Sequence, residues 1–208
     1  MSFDDPERYR VVVMITTVMG DYSSTPEPAL IKRLQQGDQA ALASLMRIYY
    51  DNLYHYASRF TRDHGLIKDC IQEVFISLWQ RRETVGTIIS PRNYLLRAIK
   101  NKTLKALHKN VNEAGSSGIE EYEFLYEFSI ETITLDKQIA EEKSEKLRKT
   151  LGQLSKRQKE IIYLKYYQHL DHGQIAEIMN ITRQSVYNLL HEAIQKLRSL
   201  WYEEFLTN

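Results

Sequence analysis

The chain has 208 residues, of which 43% are hydrophobic and 26% are charged, a balance typical of folded globular proteins and unlike that of disordered or fibrous chains. Its one cysteine, Cys70, excludes an internal disulfide framework and a thiolate metal site, and this fits a reducing cytoplasm. The longest apolar run, residues 11 to 19, is about half of the ~20 residues that span a bilayer, so no membrane insertion is predicted.

Charge is distributed unevenly along the chain. Residues 29 to 109 carry 14 Lys or Arg against 6 Asp or Glu, whereas residues 110 to 145 carry 2 against 10. Residues 146 to 208 return to 10 against 6. Two basic blocks joined by an acidic one predict two surfaces for a polyanion and a connector that the polyanion would repel.

Helical periodicity dominates the first basic block. Apolar residues recur every three or four positions over residues 42 to 60 and again over residues 67 to 79, which predicts two amphipathic helices. Ser90 and Pro91 mark the start of a third helix, because Ser can cap free N–H groups and Pro at the first helical position loses no hydrogen bond. This helix is predicted to run to about Lys109.

The acidic block separates two predicted domains. Its first residues, NVNEAGSSG at 110 to 118, are rich in Gly, Ser and Asn, which favours a linker. The following stretch, residues 119 to 133, is acidic but also carries large apolar side chains, so we expect it to dock on another surface. These side chains are Tyr122, Phe124, Leu125, Tyr126 and Phe128.

Capping signals divide the second basic block into helices. Residues 155 to 158 and residues 171 to 174 each fit a capping box, which opens a helix. Asn180 tolerates the left-handed conformation of a tight turn, and Thr182 can cap a final helix. A short helix, a turn and a longer helix form the helix-turn-helix arrangement, in which the second helix enters the major groove of DNA.

The outer face of the final helix carries polar side chains that are able to read bases. Arg suits guanine, Asn and Gln suit adenine, and hydroxyl groups near the helix N-terminus suit phosphate. A solvated helix of any bundle can carry similar residues, so this face alone does not define a DNA-binding protein. The candidate residues are Thr182, Arg183, Gln184, Ser185, Tyr187, Asn188 and His191.

Two parts of the chain resemble one protein family. The segment LSKRQKEIIYLKYYQHLDHGQIAEIMNITRQSVYNLLHEAIQKLR resembles region four of the sigma-70 family, although repressors and response regulators end in similar modules. The segments DCIQEVFISLWQRR and PRNYLLRAIKNKTLKAL are similar to region two of the same family, in the same order along the chain. No segment is long enough for the additional domains of housekeeping members, so the chain resembles the extracytoplasmic-function group.

The resemblance implies an all-α fold of two small helical domains joined by a flexible acidic linker. An N-terminal extension is expected over residues 1 to 28, and the region two helical bundle over residues 29 to 109. The acidic linker is expected over residues 110 to 145, and the region four helix-turn-helix over residues 146 to 208. Asn180 stands where the family commonly has glycine, and Asp171-His172-Gly173 also departs from the usual pattern, which suggests an unusual promoter preference.

The resemblance also implies roles for individual residues. On the second helix, Asp69, Gln72 and Glu73 are expected to bind the clamp helices of the polymerase largest subunit, although ordinary solvation is the alternative. The third helix is expected to hold the melted −10 element, and the last helix to read the −35 element as duplex. Tyr94 has two open roles, base stacking and core packing. The −10 candidates are Asn93, Tyr94, Arg97, Lys100, Asn101 and Lys105.

The flanks of the third helix are expected to form a basic exposed surface. Arg97 and Lys100 are predicted on one exposed flank, and Lys102, Lys105 and Lys109 on the other.

The implied function is that of a cytoplasmic sigma factor, which binds core RNA polymerase and promoter DNA without a cofactor. The group usually has an anti-sigma factor as a further partner, often one bound to the membrane. An enzyme is not expected, because the sequence has no phosphate loop, HExxH motif or nucleophile elbow, and no carboxylate cluster completes a metal site at His169 and His172. The alternative is a stand-alone dimeric helix-turn-helix repressor that binds intact duplex without polymerase.

Overall fold

The computed structural model describes residues 27–83, 90–113, 124–125 and 149–206. All but the end of the predicted N-terminal extension, most of the predicted linker and the loop at 84–89 lie outside these residues. Regular structure in the described part of the chain is helical, with no strand, which confirms the all-α prediction. None of the described helices is long and apolar enough to cross a membrane. The chain divides between Tyr122 and Glu123 into two compact units.

Unit 1 is a bundle of helices α1 (Glu27–Gln35), α2 (Gln39–Ala57), α3 (His64–Gln80) and α4 (Pro91–Glu113). The three longer helices pack against one another, and α1 packs against α2 and α4. Both predicted apolar stripes face the core, which confirms the helical periodicity. The buried stripes comprise Leu42, Leu45, Tyr49, Leu53, Tyr56 and Phe60 in and after α2, and Ile67, Ile71, Val74, Phe75 and Leu78 in α3.

Asp38 joins α1 to α2. Its Oδ1 atom accepts hydrogen bonds from the backbone N–H groups of Ala40 at 2.9 Å and Ala41 at 3.4 Å, which caps the N-terminus of α2. Its Oδ2 atom accepts from Arg33 Nε at 2.7 Å. Partial burial alone would raise the pKa of the Asp38 carboxyl, but the hydrogen bonds from Arg33, Ala40 and Ala41 outweigh it and lower the pKa.

Replacing Asp38 by alanine is expected to lower the free energy of unfolding by about 1 kcal/mol at pH 7, because the cap is lost. Since the folded-state pKa lies below the unfolded-state value of about 3.9, the stabilisation is complete above that value and is lost as the pH falls through the folded-state pKa. Urea denaturation of the unchanged chain and of Asp38→Ala, measured from pH 7 to pH 3, should therefore give free energies of unfolding that converge as the pH falls. A difference that did not change with pH would contradict this account.

Helix α4 runs to Glu113, four residues past the predicted end at Lys109. Extending an existing helix adds one hydrogen bond for each residue fixed, so a formed helix continues through residues of middling propensity such as Asn110 and Val111. The first residue after Lys109 that strongly disfavours a helix is Gly115. The predicted linker therefore begins with a helical turn, and the prediction of irregular structure from Asn110 is wrong for residues 110 to 113.

Unit 2 contains helical residues 149–152, α5 (Lys156–Ile162), a π turn (Tyr163–Tyr167), α6 (His172–Met179) and α7 (Arg183–Leu206). Both predicted capping boxes are present, at Ser155 with Gln158 and at Asp171 with Gln174. Asn180 adopts the left-handed conformation with φ 53°, and Thr182 Oγ1 accepts from the backbone N–H of Ser185 at 3.1 Å. Helix α7 packs against α5 and α6, so the predicted helix-turn-helix is confirmed.

The π turn interrupts the helical pattern between α5 and α6. Buried Gln168 donates a hydrogen bond from Nε2 to Tyr163 Oη at 2.9 Å, and Leu170 N donates to Leu164 O at 3.1 Å. His169 between them has φ 54°, an uncommon conformation for a residue with a side chain. These two hydrogen bonds stabilise the turn between the π turn and α6.

Phe124 of the acidic block docks on unit 2. Its side chain is fully buried and meets the ring of Tyr163 edge to face, with the ring centroids 5.9 Å apart. Tyr163 also stacks on Tyr167, at a centroid distance of 4.9 Å. The expectation that the acidic stretch docks through its apolar side chains is confirmed at Phe124, whereas Tyr122, Tyr126 and Phe128 lie outside the described residues.

Replacing Phe124 by alanine is expected to destabilise unit 2 by about 3 kcal/mol, because a buried aromatic ring and its contact with Tyr163 are lost. Chemical denaturation of the full chain, followed through tyrosine fluorescence and circular dichroism, measures this loss. Phe124→Leu is the matched control and should keep most of the stability. Equal stability of Phe124→Ala and the unchanged chain would show that the ring contributes nothing.

Candidate nucleic-acid interface

Helix α7 presents one buried face and one polar exposed face. Val186, Leu190 and Ala193 are buried against the rest of unit 2. We define the recognition face as the seven residues predicted from the sequence, all of which are exposed at the N-terminal half of the helix. They are Thr182, Arg183, Gln184, Ser185, Tyr187, Asn188 and His191.

Side chains of the recognition face are ordered by contacts along the helix. Gln184 Nε2 donates to Asn188 Oδ1 at 2.9 Å, and the rings of Tyr187 and His191 stack with an interplanar angle of 5°. The hydrogen bond between the two amides involves Gln184 Nε2 and Asn188 Oδ1. The other polar atoms of the pair are Gln184 Oε1, an acceptor, and Asn188 Nδ2, a donor. An acceptor beside a donor is the complement of the major-groove edge of adenine.

A second polar row lies along α4. Tyr94 is half-buried, and Arg97, Asn101 and Lys105 follow it at intervals of three or four residues, all exposed. We call these four residues the α4 row. Two basic groups and an amide on one stripe offer phosphate contacts together with a base contact, and a tyrosine at the end of the stripe offers a ring for stacking.

Asn93 and Lys100 do not belong to this exposed surface. Their exposed fractions are 6% and 8%, so the prediction that Lys100 lies on an exposed flank is wrong. The reason is that α4 packs against α1, α2 and α3, which widens its buried stripe to include residues 93, 96, 100 and 103.

Asn93 carries a buried polar atom that is not satisfied. Its Oδ1 has no hydrogen-bond partner among the residues that the structure describes. Such an atom costs free energy in the folded protein. Sequence periodicity alone gave no signal of this burial.

The predicted polymerase-binding residues lie on α3, where Asp69 is exposed and Gln72 and Glu73 are half-buried. Glu73 forms an ion pair with Lys102 of α4. Lys102 was predicted on an open basic flank, so this pairing corrects that expectation. Glu73 therefore links α3 to α4 and is not merely solvated.

Cys70 is 3% exposed on the inner face of α3, and burial raises the pKa of its thiol. Cys70 therefore packs as a small hydrophobic residue of the core.

The contact between Arg82 and Trp79 is among those that were not predicted. The Arg82 guanidinium lies 4.7 Å from the centre of the Trp79 ring, in cation–π geometry at the end of α3. The spacing of three residues between them was the only signal in the sequence.

Replacing Asn93 by leucine, which has a similar volume, is expected to raise the free energy of unfolding by about 1 kcal/mol, because the unsatisfied Oδ1 is removed. The same variant is expected to lose promoter opening if Asn93 contacts DNA. Thr103→Val is the control for the DNA effect alone, since Thr103 is fully inaccessible and its Oγ1 is a buried polar atom like Asn93 Oδ1. Thermal unfolding and an assay of promoter melting measure the two effects. Unchanged promoter melting in Asn93→Leu would remove Asn93 from the interface.

Comparison with known proteins agrees with this geometry. The model "Sigma-70 region 2" matches residues 45–112, and "Sigma-70, region 4" matches residues 144–197. These matches include the α4 row and the recognition face, and they define a DNA-binding protein of the sigma-70 family.

Curated relatives are similar over most of their length. The ECF RNA polymerase sigma factor SigL of Mycobacterium tuberculosis is 30% identical over 172 residues, which cover 78% of this chain and 92% of that protein. The ECF RNA polymerase sigma factor SigW of Bacillus subtilis is 25% identical, with 81% and 92% covered. The chain belongs to the extracytoplasmic-function group of sigma factors, and it directs transcription by RNA polymerase.

Solved structures share the fold. CnrH, solved in complex with the cytosolic domain of CnrY, has a TM-score of 0.57 and 19% identity, with 84% of this chain and 96% of that chain covered. The sigma factor RpoE of Bartonella quintana, solved with the anti-sigma factor NepR, has a TM-score of 0.54 and 18% identity, with 74% and 92% covered. Because the chain matches both region 2 and region 4 of the sigma-70 family, the alternative of a stand-alone repressor is excluded.

Proposed function

We propose that this sigma factor reads duplex DNA of the −35 element with α7 and holds the melted −10 element with α4. The observation that carries the proposal is the recognition face, in which seven polar and non-acidic side chains are exposed on the second helix of a helix-turn-helix. On this view residues 29 to 109 act as region two, residues 110 to 145 as the linker and residues 146 to 208 as region four, after an extension of 28 residues.

The recognition face suits the major groove. Arg183 can donate two hydrogen bonds to guanine, and the pair of Gln184 and Asn188 presents the complement of adenine. Thr182 and Ser185, whose hydroxyl oxygens are 2.8 Å apart at the helix N-terminus, suit a phosphate. Tyr187 and His191 are stacked on each other and extend the same surface by one turn.

The α4 row suits a single strand. Arg97 and Lys105 can neutralise phosphates, while Asn101 lies between them. Tyr94 supplies a ring on which a base can stack. The oxygen of Asn93 is buried in this conformation, so it would accept from a base only after its side chain turned outward. Lys100 has too little exposed surface for a direct phosphate contact in this conformation, so its role is to support the helix and to add positive charge near the strand.

Core polymerase is proposed to bind the outer surface of α3 through Asp69, Gln72 and Glu73. The ion pair between Glu73 and Lys102 connects this surface to the DNA-binding helix, so binding at α3 bears on the placement of α4. The acidic linker is proposed to follow basic polymerase surface toward the RNA exit path, since its charge mimics that of nucleic acid.

The protein itself is proposed to catalyse no reaction and to need no cofactor, because polymerase supplies the chemistry. Its place of action would then be the cytoplasm, where polymerase and promoter meet. An anti-sigma factor is proposed as a further partner, and the support is that RpoE of Bartonella quintana, which shares this fold, was solved with such a partner.

The proposal is tested by transcription with purified core polymerase on genomic DNA fragments, including the region upstream of this gene. We expect discrete start sites that require the protein. Changing Arg183, Gln184 and Asn188 together to alanine should reduce their use at least a hundredfold, since each base contact is worth about 1–3 kcal/mol.

Gln153→Ala with Arg157→Ala is the matched control, because it removes one exposed Gln and one exposed Arg of the same unit that are not part of α7. The control should keep all start sites. Start sites that persist in the triple variant would exclude the recognition face as the −35 reader. Duplex binding by the protein alone, without any start sites, would contradict the proposed division of DNA contacts.

A further inference from the structure

Arg183 of the recognition face lies against Gly173 near the start of α6. A Cβ atom at position 173 would lie 3.1 Å from Arg183 Nη2 and 3.3 Å from Arg183 Nε, which is tighter than ordinary side-chain contacts. The guanidinium therefore occupies the space that a side chain at position 173 would need. The same Cβ would lie 3.1 Å from Asp171 Oδ1, so the guanidinium and this carboxylate are within about 6 Å of each other.

The backbone does not require glycine at position 173. Gly37 has φ 83°, which favours glycine, but Gly173 is an ordinary helical residue without a positive φ. Glycine in a helix is less favourable than alanine because it loses more conformational freedom on folding. Two groups crowd this position instead, the Asp171 carboxylate of the same helix cap and the Arg183 guanidinium of the recognition face.

The missing side chain at position 173 leaves the Arg183 guanidinium room beside α6, where it stays exposed. Its stem begins at the first residue of α7, and its charged group rests beside α6 and near the Asp171 carboxylate. An arginine that is already oriented loses less side-chain freedom when it binds DNA, and its planar group then meets one particular base or phosphate.

We propose that Gly173 is a specificity-determining positioning residue for promoter recognition. By leaving room for the guanidinium, it sets which position of the −35 element Arg183 meets. This inference rests on the proposed role of α7 in reading the −35 element. It extends that role to a residue of α6 that need not touch DNA itself.

The test uses holoenzyme reconstituted from core polymerase and the full-length chain. The probe is a pool of promoter fragments, taken from a start site that this holoenzyme uses, with the −35 positions randomised. Bound fragments are sequenced for the unchanged chain, Gly173→Gln, Arg183→Ala and the double variant. Gly152→Gln is the matched control, because no atom lies within 4 Å of a Cβ at position 152.

At one −35 position, we expect Arg183→Ala to reduce the base preference about tenfold. Gly173→Gln should change the preference at that same position and nowhere else, and it should add nothing in the Arg183→Ala background. Gly152→Gln should leave all preferences unchanged. Gly173→Ala demands a shift of only a few tenths of an ångström, so it should give a smaller change at the same position, and it serves if the larger side chain prevents folding.

Retention of the original preference by both folded Gly173 variants would overturn the inference while leaving the proposed function intact. A further loss when Gly173→Gln is added to Arg183→Ala would also overturn it, since the two residues would then act separately. A holoenzyme of the unchanged chain that enriched no −35 sequence would overturn the proposed function, and the inference with it. Circular dichroism of each variant confirms that the helices are retained.

Discussion

The packing of α7 against α5 and α6 determines the direction of every side chain on the recognition face. Val186, Leu190 and Ala193 lie on the buried side, and helical geometry then fixes the opposite side as the outer one. A rotation of α7 would expose apolar surface and bury amide and guanidinium groups at the same time, and both changes are unfavourable. The packing of the hydrophobic core therefore also fixes the orientation of the polar groups on the recognition face.

Packing also determines which side chains of helix α4 are exposed, but here it buries polar residues as well. Because it is packed by three other helices, its buried stripe is wide enough to include Asn93, Lys100 and Thr103 among apolar neighbours. Polar groups in such positions give up hydration, and among the described residues none donates a hydrogen bond to the oxygen of Asn93. The buried side chain of Asn93 lowers stability beside the α4 row, as is expected where a protein keeps polar groups available for a ligand.

Much of the fold could be predicted from the sequence because its determinants are local. The capping boxes at Ser155 and Asp171 depend on side chains three residues away, and the left-handed Asn180 depends on its own small side chain. The recognition face followed from the spacing of a single amphipathic helix. Contacts between distant segments gave no comparable signal. Phe124 on Tyr163, Glu73 with Lys102 and Arg183 over Gly173 each join residues whose proximity only the tertiary structure creates.

The docking of Phe124 means that the physical domain is larger than the region recognised by sequence. The family match begins at residue 144, and the boundary predicted from charge lies at residue 146, whereas a ring that belongs to the core of unit 2 stands about twenty residues earlier. A fragment cut at either boundary would keep the complete helix-turn-helix and would uncover one face of Tyr163. Exchanging region four between two sigma factors at the same point would leave Phe124 behind on the recipient, facing a surface that did not evolve with it.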